Sequence, residues 1–357
     1  MSSKKLKKTA TIDDASLNLI IVILIACILI IAITPVYFIV TKTAGSGSSS
    51  GETDTDDTPA GVVGDYPFKE EIVVPSFIDD NCPIIPSDSI NSDYSINSDY
   101  AIIVDATDGK IVASRKGSQV IYPASMTKVM TLIVVVENLK SEASLDDVIT
   151  ISTEPGKNSG YGFKVGEKLT VKDLLYAAIL QSDGVACIEL ANYIAGSEAN
   201  FVKLMNDKVK ELGLLENDPE NSPSTMFQNC TGLHHSYHYS TPYDMAVIMA
   251  YAMQNPLCAS VLSSLSYKPS NNFRPGDGCT FWHTLLHNHL NDSQLQPNNA
   301  TVLAGKTGFT EKETSGHCIV TYAKGKNGHF YVSVTAKADS WVANVQDILT
   351  VFNTYVK

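Results

Sequence analysis

In the stretch IYPASMTKVMTLIVVVENL, Ser125 follows Pro123 and Ala124, and Lys128 stands three residues further on. A proline and a small residue before an apolar run predict a helix over Met126 to Leu139 with Ser125 at its mouth. Unpaired backbone N–H groups and the helix dipole favour negative charge there. Residues three apart share a helix face, so the lysine amine reaches the serine hydroxyl. A serine hydroxyl is a weak nucleophile until a neighbour takes its proton, and a lysine with a desolvated, lowered pKa can take it. The chemistry on offer is attack on a carbonyl carbon, with Ser125 as nucleophile and Lys128 as base. An S-x-x-K spacing alone also arises by chance in a chain rich in both residues.

Two further groups give the pair its weight. AGKTGFTEKETSGHC places Lys306, Thr307 and Gly308 on a late strand. There an ammonium and a hydroxyl suit a terminal carboxylate, and Gly308 permits close approach to the backbone. The backbone N–H groups of Ser125 and Phe309 are the expected donors to an oxyanion. LQSDGVAC supplies Ser182, Asp183 and Gly184 between two helical stretches, with Ser182 suited to relaying a proton.

The elements that must position these groups are strands at both ends of a domain and helices between. YAIIVDATDGKIVASRKG reads as a hairpin turning at Asp108-Gly109, and SGHCIVTYAKGKNGHFYVSVTAKA as another turning at Asn327-Gly328. TVLAGKTGFT supplies a neighbouring strand. Helices are predicted at Val171 to Leu180, Val185 to Ala195 with Gly196 as stop, Phe201 to Leu212, Pro242 to Gln254 and Trp341 to about Thr354. The class is α+β, with one antiparallel sheet built from both ends and faced by helices.

The chain has 357 residues and is 44% hydrophobic, enough for one large core. Its net charge of −12 is concentrated between Gly51 and Tyr100, where twelve acids stand against one base, Lys69. The rest is near neutral, which argues against a nucleic-acid partner. Leu17 to Val40 is an uncharged apolar run, longer than the roughly 20 residues that cross a bilayer core. Lys4, Lys5, Lys7 and Lys8 precede it, which predicts a signal-anchor helix with a cytoplasmic tail at residues 1 to 16. Residues 41 to 87, rich in Gly, Ser, Thr and Asp, read as an acidic spacer, leaving 88 to 357 as the exported domain. The repeat SINSDYSINSDY is too short for a solenoid.

S-x-x-K at a helix mouth with K-T-G on a late strand occurs in penicillin-binding proteins and class A β-lactamases. From Tyr100 onward the chain resembles the D-alanyl-D-alanine carboxypeptidases, the low-molecular-mass penicillin-binding proteins, through AIIVDATDGKIVASRKGSQVIYPASMTKVMT, LTVKDLLYAAILQSDGVACIELANYIAG, CTGLHHSYHYSTPYDMA and AGKTGFT. The resemblance implies the serine β-lactamase/DD-peptidase (transpeptidase-like) fold, a five-stranded antiparallel sheet flanked by helices with a helical subdomain. It implies Ser125, Lys128 and Ser182 as catalytic residues, and Lys306, Thr307, Gly308 and Phe309 as substrate-binding. The implied substrate is a peptidoglycan stem peptide ending in D-Ala-D-Ala, the implied inhibitors are β-lactams, and no metal or cofactor is needed. The location it implies is a bacterial cell membrane, with the domain outside. The family's second motif is usually Ser-x-Asn, whereas Gly184 supplies no amide. Relatives add a β-rich domain and a C-terminal anchor; here the chain stops at Lys357, and the N-terminal span is expected to replace that anchor.

Two other readings stay open. A β-lactamase needs a glutamate to activate the deacylating water, for which Glu216 and Glu220 in LLENDPENSP are positioned by sequence. A wall-peptide-binding module without turnover is the consequence if Gly184 disables the site. His283, His287 and His289, with His234, His235 and His238, read as cleft or surface residues, since no acid or cysteine completes a zinc set nearby. Six cysteines outside the apolar run, Cys82, Cys187, Cys230, Cys258, Cys279 and Cys318, are irregularly spaced and taken as unpaired.

Overall fold

The computed structural model describes residues 89–90, 96–156, 160–214, 225–269, 273–274, 279–290 and 296–357. The expected membrane span, the acidic spacer, Cys82, Glu216 and Glu220 lie outside these residues. Strands β1 (Tyr100–Asp105) and β2 (Lys110–Arg115) form the first hairpin, with Gly109 at φ 68° in the turn. In chain order β3 (Val148–Thr150), β4 (Lys168–Thr170), β5 (Ser266–Tyr267) and β6 (Phe281–Trp282) make two small ribbons. β7 (Ala300–Gly308), β8 (His317–Gly325) and β9 (Phe330–Ala338) complete a five-stranded antiparallel sheet in the order β2-β1-β9-β8-β7. The first and last strands of the sheet thus pair with each other, Ile102 opposite Val334. β7 is left as an edge, with Lys306 opposite Val320 and Thr307 opposite Ile319.

The helices are α1 (Lys128–Glu137), α2 (Val171–Leu180), α3 (Gly184–Ala195), α4 (Glu198–Glu211), α5 (Pro242–Ala252), α6 (Pro256–Ser263) and α7 (Trp341–Tyr355). Strand alternation gives the sheet two buried faces. Ile102, Val104, Val320 and Val334 face the core shared with α1 to α6, while Ala101, Ile103, Ile319 and Tyr331 face Val345, Ile348 and Phe352 of α7. The helix starts follow their caps. Thr170 and Asp173 form a capping box on α2, and Ser197, Thr241, Asn255 and Ser340 each accept a first-turn N–H. Helix α6 was not foreseen, although Asn255-Pro256 is its start signal. It is only eight residues long and mostly apolar, with Ser260 and Ser263 as its polar residues, so no clear periodicity separates it from loop. Among the described residues no single helix is long and apolar enough to cross a membrane.

Candidate active site

Ser125 lies in a 3₁₀ turn, Ala124–Thr127, and the α-helix begins only at Lys128. The expected single helix is therefore kinked tight at its mouth. Ala124 there adopts φ 47°, a left-handed conformation uncommon for a non-glycine residue. Gly232 explains how it is held: a Cβ on Gly232 would sit 1.9 Å from the Ala124 carbonyl oxygen. Gly308 presses on the same turn, since a Cβ there would lie 2.6 Å from the Pro123 oxygen and 3.2 Å from the Ser125 nitrogen. The close approach at Gly308 is thus made by the nucleophile's own backbone, and it fixes the end of β7 against the Ser125 N–H.

Lys128 is 1% exposed and its Nζ makes two hydrogen bonds, 2.8 Å to Ser125 Oγ and 2.6 Å to the Thr231 carbonyl oxygen. Burial lowers its pKa. The neighbouring thiols oppose this only when ionised, yet burial pushes Cys187 up to about 12 and Cys230 well above its ordinary value. They are neutral at pH 7, so of the groups that raise the Lys128 pKa only Asp183 is left, and burial raises the Asp183 pKa as well. The Thr231 carbonyl is itself held by Asn229. Asn229 Oδ1 accepts from Thr231 N at 3.1 Å, Thr231 Oγ1 at 3.0 Å, Gly232 N at 2.7 Å and Leu233 N at 3.1 Å. One amide side chain thereby shapes the loop that both aims the lysine and seats the serine's turn.

Ser182 sits between α2 and α3 at φ 55°, a second left-handed non-glycine residue in the site. It accepts a 2.9 Å hydrogen bond from Lys306 Nζ, which also bonds the Thr307 carbonyl at 2.9 Å. Lys306 is fully buried, and desolvation followed by the charge of Lys128 holds its pKa well below the ordinary lysine value. The ammonium expected on an open strand edge is turned inward onto Ser182. Thr307 points to the cleft, with its Oγ1 3.3 Å from Thr284 Oγ1. Asp183 faces away as the N-cap of α3, accepting from Ala186 N at 2.9 Å and Tyr161 N at 2.8 Å. Gly184 opens α3, and Lys128 donates its second hydrogen bond to the Thr231 carbonyl instead of to an amide at that position.

A cavity of about 310 Å³ runs between Ser125, Ser182 and Thr307. Its far wall is Thr284, Asn288, His289, Phe309 and Trp341. Sequence reasoning gave no cleft role to Thr284, Asn288 or Trp341, which come from a loop and a helix start distant from the motifs. Two of the six histidines are neither cleft nor surface residues. His238 is buried, donating from Nε2 to Thr127 Oγ1 at 2.8 Å and accepting Gln228 N at Nδ1 at 3.1 Å. His283 is also buried; its Nδ1 accepts from Leu285 N and Leu286 N at 3.1 and 3.2 Å. Burial keeps both as neutral imidazoles; His238 has both ring nitrogens paired, whereas the Nε2 of His283 has no hydrogen-bond partner. Cys187, Cys230, Cys258, Cys279 and Cys318 carry free thiols.

A hydroxyl bonded to a buried, deprotonation-prone amine, beside a second hydroxyl bonded to another such amine, is the apparatus of a serine acyl-transfer site. The family model for D-alanyl-D-alanine carboxypeptidase, peptidase S11, matches residues 87–340, and the chain belongs to that family. It is 35% identical over 150 residues to D-alanyl-D-alanine carboxypeptidase DacF of Bacillus subtilis, covering 41% of this chain and 36% of that protein. It is 32% identical over 225 residues to a D-alanyl-D-alanine endopeptidase of Pseudomonas aeruginosa, covering 61% and 64%. Penicillin binding protein 6B from Escherichia coli has the same fold, with a TM-score of 0.59 at 25% identity over 77% of this chain and 80% of that one. The matched stretch spans just over a third of the length of DacF.

Proposed function

We propose that this protein is a serine-type D-Ala-D-Ala carboxypeptidase that trims peptidoglycan stem peptides, and that β-lactams acylate it. The observation that carries the reading is the 2.8 Å contact between Ser125 Oγ and a buried Lys128 whose charge is disfavoured. The neutral Lys128 amine takes the Ser125 proton as Oγ bonds to the carbonyl carbon of the penultimate D-alanine. Negative charge moves to the carbonyl oxygen, facing the N–H groups of Ser125 and Phe309. Ser182 gives its proton to the departing amine and regains the one Lys128 took, so the C–N bond breaks and Lys128 is neutral again, while Lys306 holds the Ser182 hydroxyl in place. Thr307, at the cleft edge, receives the terminal carboxylate, while Lys306 acts behind it. Water then attacks the ester, Lys128 taking its proton, and Ser125 leaves as the hydroxyl. Gly184 is compatible with this sequence because the Thr231 carbonyl orients the lysine.

The same proposal puts the domain outside a bacterial membrane, anchored by the apolar run at residues 17–40 behind four lysines. The test is to incubate the full chain with benzylpenicillin and follow its intact mass, together with D-alanine release from a pentapeptide. A stable adduct on Ser125 and release of one D-alanine are expected. An adduct lost within seconds points to a β-lactamase, and an adduct without release points to a binding module; either outcome overturns the carboxypeptidase reading.

A further inference from the structure

The cleft continues past Thr307 into a wall of rings. Thr307 and Phe309 lie two residues apart at the end of an edge strand, so their side chains fall on the same side, and both line the cavity. Facing them are Trp341, the first residue of α7, and His289. The rings are already fixed. His317 stacks on Phe309 at 4.4 Å and 18° and meets Trp341 edge-on at 4.4 Å and 68°, while Trp341 stacks near His289 at 6.4 Å. The carbonyl of His317 accepts Asn344 Nδ2 at 2.6 Å, tying the start of β8 to α7.

Among the described residues that line it, this end of the cleft carries no formal charge. The titrating side chains here, among the described residues, are His289 and His317, kept neutral at pH 7 because burial lowers both pKa values. Lys312 and Asp339 are paired with each other at 3.0 Å. Phe309 remains 42% exposed, an ordered aromatic face with water against it. If Thr307 holds the carboxylate of the residue released, as the proposed function has it, these rings adjoin that residue's α-carbon and its side chain. The methyl group of alanine covers little of them.

We propose that Phe309, Trp341 and His289 form a subsite for the side chain of the released residue, one that favours a D-amino acid with a linear aliphatic side chain over D-alanine. The wall is rigid before binding, so an aliphatic chain gains apolar contact without ordering the protein. A methylene in a fitted apolar pocket changes kcat/KM by roughly 10- to 200-fold.

The test compares the full chain on N-acyl-D-Ala-D-Ala and N-acyl-D-Ala-D-norleucine, measuring release of the terminal amino acid. The kcat/KM ratio is expected to favour norleucine by at least about tenfold. Trp341→Ala and Phe309→Ala should each bring that ratio towards one. A ratio of one or less in the unaltered protein, or a ratio unmoved by both variants, overturns the subsite. A second measurement does not depend on turnover: titration of tryptophan fluorescence in Ser125→Ala protein with each peptide. Tighter binding of the norleucine peptide, lost in Ser125→Ala/Phe309→Ala, which keeps Trp341 as the reporter, supports the subsite even if the reading of Ser125 fails. Equal binding of both peptides, with penicillin acylation of Ser125 intact, overturns the subsite and leaves that reading standing.

Discussion

Two serine–lysine pairs line one cleft, and they are built differently. Ser125 and Lys128 are three residues apart on a single turn, so the chain's local geometry alone brings them to 2.8 Å. Ser182 and Lys306 are 124 residues apart and meet at 2.9 Å only because a helix-to-helix loop is packed against an edge strand. Both lysines are buried and bonded to neutral oxygens, a serine hydroxyl and a backbone carbonyl in each case. Neither pair includes a carboxylate within hydrogen-bond reach, and burying an unpaired charge costs several kcal/mol. The shared design favours the neutral amine. The difference lies in tolerance: the local pair survives small shifts of the fold, and the long-range pair depends on them.

The comparison is broken most sharply at the nucleophile. Lys128→Ala should slow penicillin acylation by about 10²- to 10⁴-fold, since a general base contributes on that order. Intact mass against time reads the rate. In the unaltered enzyme, kcat/KM should rise as pH climbs through the lowered pKa of Lys128 and level off below pH 10.5, the ordinary lysine value. An acid limb at that ordinary value would remove Lys128 as the base. Lys306→Ala should cost less in acylation, roughly 10- to 10³-fold, because it acts through Ser182. A loss larger than that of Lys128→Ala would reverse the roles assigned to the two pairs.

Asn229→Ala sharpens the comparison, because it reaches only the first pair. Four donors lose one acceptor, and the Thr231 carbonyl loses its fixed direction. Acylation should fall about tenfold. Stability should drop by roughly 1 to 3 kcal/mol, the cost of leaving buried donors unpaired. Asn229→Asp, which keeps the acceptor oxygen, should restore most of the acylation rate. Failure of that rescue, at equal thermal stability, would show that Asn229 does not act through the Thr231 carbonyl.

The same contrast explains what was legible in the sequence. The hairpins at Gly109 and Gly328 and the helix Val171–Leu180 follow from turn residues, alternation and capping, all local signals. Ser125 with Lys128 was visible for the same reason. Thr231 was not, because it contributes a backbone carbonyl, which any residue carries. The inward turn of Lys306 was hidden because K-T-G specifies a strand edge and not what packs over it. Trp341 lies 216 positions after Ser125 and reaches the cleft only through the docking of α7 on the sheet. His238 and His283 were read from their spacing as cleft or surface residues, although the structure buries both, pairing His238 with Thr127 and Gln228 N and the Nδ1 of His283 with Leu285 N and Leu286 N.

Those two histidines give the smallest effect on activity and a clear one on stability, one behind each pair. His238 bonds Thr127 beside Lys128, and His283 lies close enough to Lys306 to feel its charge. Burial, the larger cause in both, pushes each down to about 3 from the ordinary 6.5. For His283 the Nε2 has no partner at hydrogen-bond geometry, although the carbonyls of Leu262 and Gly305 lie close enough to favour its protonated form somewhat. A folded pKa below the unfolded one means that the unfolded chain binds the extra proton first as pH falls. Stability is therefore full above about pH 6.5 and is lost between 6.5 and 3. Denaturant midpoints taken from pH 7.5 to 4 should fall by an amount equivalent to a few kcal/mol. His238→Asn and His283→Asn should each lower stability at pH 7.5 and flatten part of that decline. If His283→Asn alone flattens it, the imidazole behind Lys306 carries the acid sensitivity, and the long-range pair is where the fold yields first.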